Sequence, residues 1–240
     1  MTDFLDINRG GAQVATESIG GGRTLLDSNV YKAVVKQAYL AAYDSGARYA
    51  AITLDIDGKE HEERLLLTNS KGEGFWSDRD GNPQQFAGLT RLDELAFAAG
   101  YPNTQASGIA PGNVRMWDKD AKSFVLKQHP TVLTGLRDKT VAVALQRVEQ
   151  NKTKKNQNTN KYDKLNEKEE INVIQKFANL AGMTQLEAAK GINPPVFMEA
   201  WKAKWAGKTH STYKEQPNAP TQGMPTASGG AAAAASDLFG

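Results

Sequence analysis

The sequence predicts a mostly β protein, a small antiparallel barrel with one helix in mid-chain. Three observations predict it. Ile52, Leu54 and Ile56 alternate with Thr53 and Asp55, the period-two pattern of a half-buried strand. Asp57-Gly58 follows at once, and both positions of this dipeptide accept the positive φ that a tight hairpin requires. Val141, Val143 and Leu145 repeat the alternation late in the chain, after a single helix-like stretch.

The elements follow in order. Residues 1–23, with "GGAQVATESIGGG", are dense in Gly and aperiodic and read as a flexible arm. Residues 29–43, "NVYKAVVKQAYLAAY", begin rich in β-branched and aromatic residues and read as a strand, with helix left open by the Ala-rich second half. "DSGAR" is a turn, and "EERLLLT" (62–68) returns from Asp57-Gly58, so 29–68 forms a three-stranded meander. "GFWSDRDGNPQQFAG" (74–88) is a hairpin or long loop around a second Asp-Gly. Thr90 is expected to cap a short helix with Asp93 in its first turn, Leu92, Leu95, Ala96 and Ala99 on its apolar face, and Gly100 at its end.

"NVRMW" and "SFVLKQ" bracket a further turn. Residues 139–149 are a strand, and "EEINVIQKFA" (169–178) is expected to return from it as a strand, with helix again open. Thr184 and Glu187 form a capping box closed by Gly191. "PPVFMEAWKAKWAG" places proline at a helix entry and Phe197, Trp201 and Trp205 on one face, for packing on the barrel. From 209 onward, Pro, Gly, Ser, Thr and Ala dominate and the chain reads as a disordered tail with an apolar tip. The domain organisation is thus an arm over 1–23, a barrel over 24–182, a helical segment over 183–208 and a tail over 209–240.

Composition excludes several functions. Cys is absent, which rules out disulfides and cysteine-ligated metal centres, and the three His are far apart. No apolar run approaches the roughly 20 residues of a membrane-spanning helix, and the first residues do not form a signal peptide. Asp55, Asp57, Glu60, Glu62 and Glu63 could serve a metal-dependent nuclease, but their place around a hairpin turn fits a solvated sheet edge better. No phosphate-binding loop or nucleophilic triad is present, so no enzyme activity, metal or cofactor is expected.

Charge is unevenly placed in a chain of net charge +2. From Arg147 to Tyr162 five basic residues stand against Glu149 alone, a local net of +4. Such a loop is either idle and solvated or placed to neutralise phosphates. In the first half of the chain Tyr31, Tyr39, Tyr43, Tyr49, Phe75, Trp76 and Phe86 interleave with Lys32, Lys36, Arg48, Lys71 and Arg79. A binder of single strands needs that combination, flat rings for bases and cations for the backbone. Phe86 and Tyr49 are expected in the core, Tyr43 and Trp76 at the surface. The candidate DNA contacts are Lys36, Arg48, Arg79, Arg147, Lys152, Lys154, Lys155 and Lys161 for phosphates, and Tyr43, Phe75 and Trp76 for stacking.

Strand count, mid-chain helix and late basic excursion are compatible with an OB fold, whose loop between the last two strands grips nucleic acid. Taken in order, "LLDSNVYKAVVKQAYLAAYDSGARYAAITLDIDGKE", "GFWSDRDGNPQQFAGLTRLDELAF", "TVLTGLRDKTVAVALQRVEQNK" and "PPVFMEAWKAKWAGKT" with a terminal "DLFG" resemble the single-stranded DNA-binding proteins of tailed bacteriophages. The resemblance covers about residues 23–208 and the terminus. It implies an OB-fold core that coats single-stranded DNA in phage replication and recombination, in the cytoplasm of the host bacterium. It also implies a tail whose tip, Asp237, Leu238 and Phe239, recruits replication or recombination proteins. Asp237 is the only acid after Glu215, so Leu238 and Phe239 would carry that contact. Two other readings remain: a virion or scaffold assembly protein whose aromatic surface is a subunit interface, and the nuclease.

Overall fold

A computed structural model describes residues 25–118, 120–156 and 162–216. The elements are β1 (Asn29–Ala42), β2 (Arg48–Ile56), β3 (Lys59–Leu66), β4 (Phe75–Ser77), β5 (Pro83–Gln85), α1 (Ala87–Ala98), β6 (Ile109–Asp118), β7 (Ser123–Leu133), β8 (Thr140–Lys155), β9 (Tyr162–Ala178), α2 (Gln185–Ala189), α3 (Phe197–Trp205) and β10 (Thr209–Ser211). The expected mostly β fold and the β1–β2–β3 meander are present, and the Ala-rich half of 29–43 is strand.

The central strands lie in the order β9–β8–β1–β2–β3, all antiparallel. β1 is the pivot. Its first half, Asn29–Val34, pairs with β8, and further along Tyr39 pairs with Val132 of β7. Between them the register slips at a bulge from Val35 to Gln37. There Val35 donates to the Lys139 carbonyl at 2.9 Å and accepts from the Asp138 N–H at 2.8 Å, which stitches the junction. An extra residue bends a strand and increases its twist. One strand thereby serves two neighbours.

The expected closed barrel is not formed: among the described residues β3 and β9 share no ladder. Helix α1 fills the seam instead, packing on both strands. Arg91 reaches Glu63 of β3 at 3.2 Å, and Lys176 of β9 donates to the buried Glu94. Between these pairs Leu92, Leu95, Ala96 and Ala98 enter a core with Ile52, Leu54, Ile56, Leu145, Ile174 and Phe177. Apolar burial on that scale is the main stabilising contribution to the body.

Helix α1 begins at Ala87, one turn before the expected Thr90 cap. A Cβ at Gly88 would strike the Leu66 backbone, so glycine lets the first turn sit directly on β3. Asp93 does not serve the helix start. Its carboxylate accepts from the Thr104 N–H (3.1 Å) and hydroxyl (2.6 Å), which ties down the loop after α1.

The capping box is present, and it does more than expected. Glu187 closes the box with Thr184 and also accepts from the Val196 and Phe197 N–H groups, each at 2.7 Å. Burial alone would raise its pKa, but these hydrogen bonds outweigh burial and hold it at about 2. α3 therefore starts at Phe197 under this carboxylate, and the prolines at 194 and 195 precede the helix rather than opening it. Trp201 packs on Ala142, Ala144 and Ala178 with Trp205 partly buried beside it, but Met198 takes the remaining place expected for Phe197, which stays 37% exposed. Within the tail expected from 209, Thr209–Ser211 instead form β10, parallel to β8. The N-terminal arm and the tail tip lie outside the described residues, as does Lys161. No helix among the described residues is long and apolar enough to cross a membrane.

Candidate nucleic-acid interface

The expected site residues fall into separate groups. Tyr43 and Arg48 flank the β1–β2 turn. Phe75, Trp76 and Arg79 sit on the small β4–β5 hairpin, which follows the end of β3 at the same side of the sheet. Tyr43 (40% exposed) and Trp76 (50%) are at the surface as expected, and Phe75 is exposed beside Trp76. Arg48 and Arg79 are exposed and have no ion-pair partner among the described residues. The Asp78 carboxylate builds the β4–β5 turn by accepting from the Asn82 and Asp80 N–H groups and the Gln84 amide. Those bonds, the Asn82 N–H first, lower its pKa. Lys36 lies at the β1 bulge and is paired with Asp55 at 3.3 Å.

The described part of the late basic segment is strand rather than loop. β8 continues to Lys155 and β9 begins at Tyr162, so 148–155 and 162–168 form most of a two-stranded arm beyond the first residue of β1. Antiparallel pairing brings acids of β9 opposite the bases of β8. Across 147–155 and 162–170 six basic residues meet five acidic ones. Arg147 is bound to Glu170 and Asp27, Lys152 to Glu167, and Lys168 to Glu149. The hydrogen bond that Arg147 donates to Glu170 raises the Arg147 pKa, and the one that Lys152 donates to Glu167 raises the Lys152 pKa. These two expected phosphate contacts are therefore already engaged. Lys154 and Lys155 are exposed at the arm's tip, beside Lys164 and the 67% exposed Tyr162, with no ion pair among the described residues.

Between the turn end and the arm lies the outer face of the meander, and the β6–β7 hairpin folds over it. Gln37 grips the hairpin backbone, accepting from the Arg115 N–H at 2.9 Å and donating to the Arg115 carbonyl at 3.0 Å. Tyr39, Val114 and Val132 form a small core beneath, with Ala41, Ala51 and Met116 around it. Burial, and then Tyr49, raise the Tyr39 pKa. Burial pushes the His129 imidazole below its ordinary pKa.

A groove remains between hairpin and sheet, lined by Tyr39, Thr53 and Arg64 on one side and Arg115, Trp117 and Phe124 on the other. Trp117 (55% exposed) and Phe124 (44%) stand opposite each other in the ladder, edge to face with centroids 5.4 Å apart. The Arg115 guanidinium lies 4.7 Å over the Phe124 ring and is held by Glu60 at 2.9 Å. On the sheet side Tyr49, expected in the core, is half-buried on the outer face. Its ring is 4.4 Å from that of Tyr43, with the Arg64 guanidinium 5.4 Å above it. At the hairpin's end Asp118 binds Lys127 at 2.6 Å, which holds its pKa at about 2. The face thus offers rings in two clusters, each with an arginine over it.

Sequence reasoning missed Tyr49, Arg64, Arg115, Trp117 and Phe124 as a group. One signal was present. In "NVRMW" and "SFVLKQ" the period-two alternation places Val114 and Met116 on one face and Arg115 and Trp117 on the other. The carboxylates at 55–63 do not converge. Asp55 pairs with Lys36, Glu60 with Arg115 and Glu63 with Arg91, and no acid–histidine group among the described residues could hold a metal. No protein-family model matches the sequence, and no curated protein matches it.

Proposed function

We propose that the protein binds single-stranded DNA without sequence preference and coats it, without catalysis, during phage replication and recombination in the host cytoplasm. The observation that carries this is the outer face itself: Arg64 on the sheet and Arg115, Phe124 and Trp117 on the hairpin border one groove, and the Tyr49 and Tyr43 rings lie beside Arg64 on the same sheet. Every base has a π face, so rings of this kind bind any sequence, each stack contributing about 1–3 kcal/mol. Cations without an ion-pair partner among the described residues, Arg48 and Arg79 at one end and Lys154 and Lys155 at the other, suit a backbone crossing the face. The OB assignment rests on the order β9–β8–β1–β2–β3 and on a helix between β3 and β8 over an open seam, since OB barrels are themselves partly open. Recruitment of replication or recombination proteins falls to Asp237, Leu238 and Phe239 in this reading.

The test is a titration of intrinsic tryptophan fluorescence with oligo-dT and with duplex DNA across a range of salt. Salt-sensitive quenching by oligo-dT and little response to duplex supports the proposal. No binding of either DNA, by quenching or by a labelled oligonucleotide, overturns it. One observation favours the assembly reading: Leu126, 69% exposed, stands opposite Arg115 on the hairpin, where an aliphatic side chain suits a protein surface better than a base. A stable oligomer that DNA does not alter would support that reading.

A further inference from the structure

Two-stranded ribbons are marginal in water, and a third strand or other packing is needed to hold one in place. The β8–β9 arm has such a strand beside it. After β10 the chain continues along the arm to Gln216, crossing the side chains of both arm strands. Thr212 donates its N–H to the Glu149 carbonyl at 2.8 Å. Asn151, 4% exposed at a slip in the β8–β9 register, donates to the carbonyls of Leu165 (2.9 Å) and Lys214 (2.7 Å) and accepts from the Lys214 N–H (3.0 Å). Asn166 on β9 accepts from the Gln216 N–H at 2.7 Å and donates to the Gln216 carbonyl at 2.9 Å. Tyr213 lies under Lys168, 5.0 Å from its ring centroid to the ammonium. Leu165 is 2% exposed at this level, where two strands alone would leave it open to water.

Both amides use their donor and acceptor ends together on one backbone residue of the strap. That pairing fixes the strap's register, as a β-ladder would, where the ladder itself has ended. We propose that residues 209–216 are the third strand of the DNA-gripping arm, and that Asn151 and Asn166 are its positioning residues, holding the arm that carries Lys154 and Lys155 in place. This rests on the proposed function for its DNA arm but not for its structural one. An arm already in place avoids the ordering cost that a free ribbon would meet on binding. Gln216, the last of the described residues, therefore lies on the arm and not on the body.

The test uses the full chain carrying Asn151→Ala with Asn166→Ala, and separately Lys214→Pro, which removes one strap N–H without opening the interior. Amide hydrogen exchange is read over 149–155 and 162–168, with β1 and β2 as internal reference. Oligo-dT affinity is read at several salt concentrations. The expected result is arm exchange faster by about tenfold or more with the reference unchanged, and oligo-dT binding weaker by about tenfold with a shallower salt dependence. Unchanged arm exchange in both variants overturns the proposal. Faster arm exchange with unaltered oligo-dT binding overturns its claim on DNA. If the double variant loses protection throughout, Lys214→Pro decides. A wild-type chain that binds no oligo-dT overturns the proposed function instead, and the exchange result then still judges the strap.

Discussion

Two hairpins leave the central sheet, and they contrast in what a linear reading shows of them. The β8–β9 arm advertises itself with a run of Lys and Asn, yet near its base the cations are spent on the facing strand, Arg147 on Glu170 and Lys152 on Glu167. The β6–β7 hairpin has no run of like charge, yet it presents Trp117, Phe124 and Arg115 to a groove. The difference teaches that the charge of a segment belongs to the ladder it joins. A base in an antiparallel strand faces whatever the returning strand supplies: Arg147 and Lys152 are paired there, while Lys154, opposite Asp163, and Lys155, opposite Tyr162, make no ion pair among the described residues. Exposed rings on a hairpin are fixed by alternation, which is local.

The largest expected effect is on the hairpin. Trp117→Ala with Phe124→Ala removes two ring faces, and binding of oligo-dT should weaken by about 1–3 kcal/mol for each stack lost, with the salt slope little changed. Equilibrium titration at two salt concentrations checks both parts. Next comes the arm's tip. Lys154→Ala with Lys155→Ala should reduce the salt slope by roughly 0.7 for each single-strand phosphate contact removed. Arg147→Ala and Lys152→Ala should leave the slope unaltered, because those cations are committed to carboxylates. A slope that falls equally for both pairs would erase the contrast between base and tip.

The smallest effect is on pH dependence. Asp118, with a pKa of about 2 against an ordinary 3.8, has its carboxylate favoured in the folded hairpin. Its ion pair with Lys127 therefore stabilises the hairpin fully above pH 3.8, and that contribution is lost as pH falls toward 2. Trp117 emission should stay constant from neutral pH down to about 4 and change below it. Asp118→Asn should remove that acid transition while leaving binding at pH 7 near wild type.

Much of the fold was legible in local pattern. Alternation at 52–56 and Asp57-Gly58 define the meander, and Thr184 with Glu187 defines the box at α2. What escaped depends on contacts distant in sequence. The start of α1 is set by Gly88 against Leu66, and the open seam by α1 lying between β3 and β9. Of the site, the exposure of Tyr43 and Trp76 was legible because loop and turn chemistry is local. Tyr49 escaped because a period-two strand has an outer face as well as a core face, and its pairing with Leu66 places it outside. Residues 209–216 escaped because their order comes from the amides of Asn151 and Asn166, more than fifty positions away for the former.

The central claim is that a single strand lies in the groove between hairpin and meander. Ultraviolet crosslinking of oligo-dT to the full chain, with the adducts located by mass spectrometry, tests it most directly. The account predicts adducts at Trp117, Phe124, Tyr49 or Tyr43. Adducts confined to α3 or to the base of the arm, with none on the hairpin or the β1–β2 end, would contradict it.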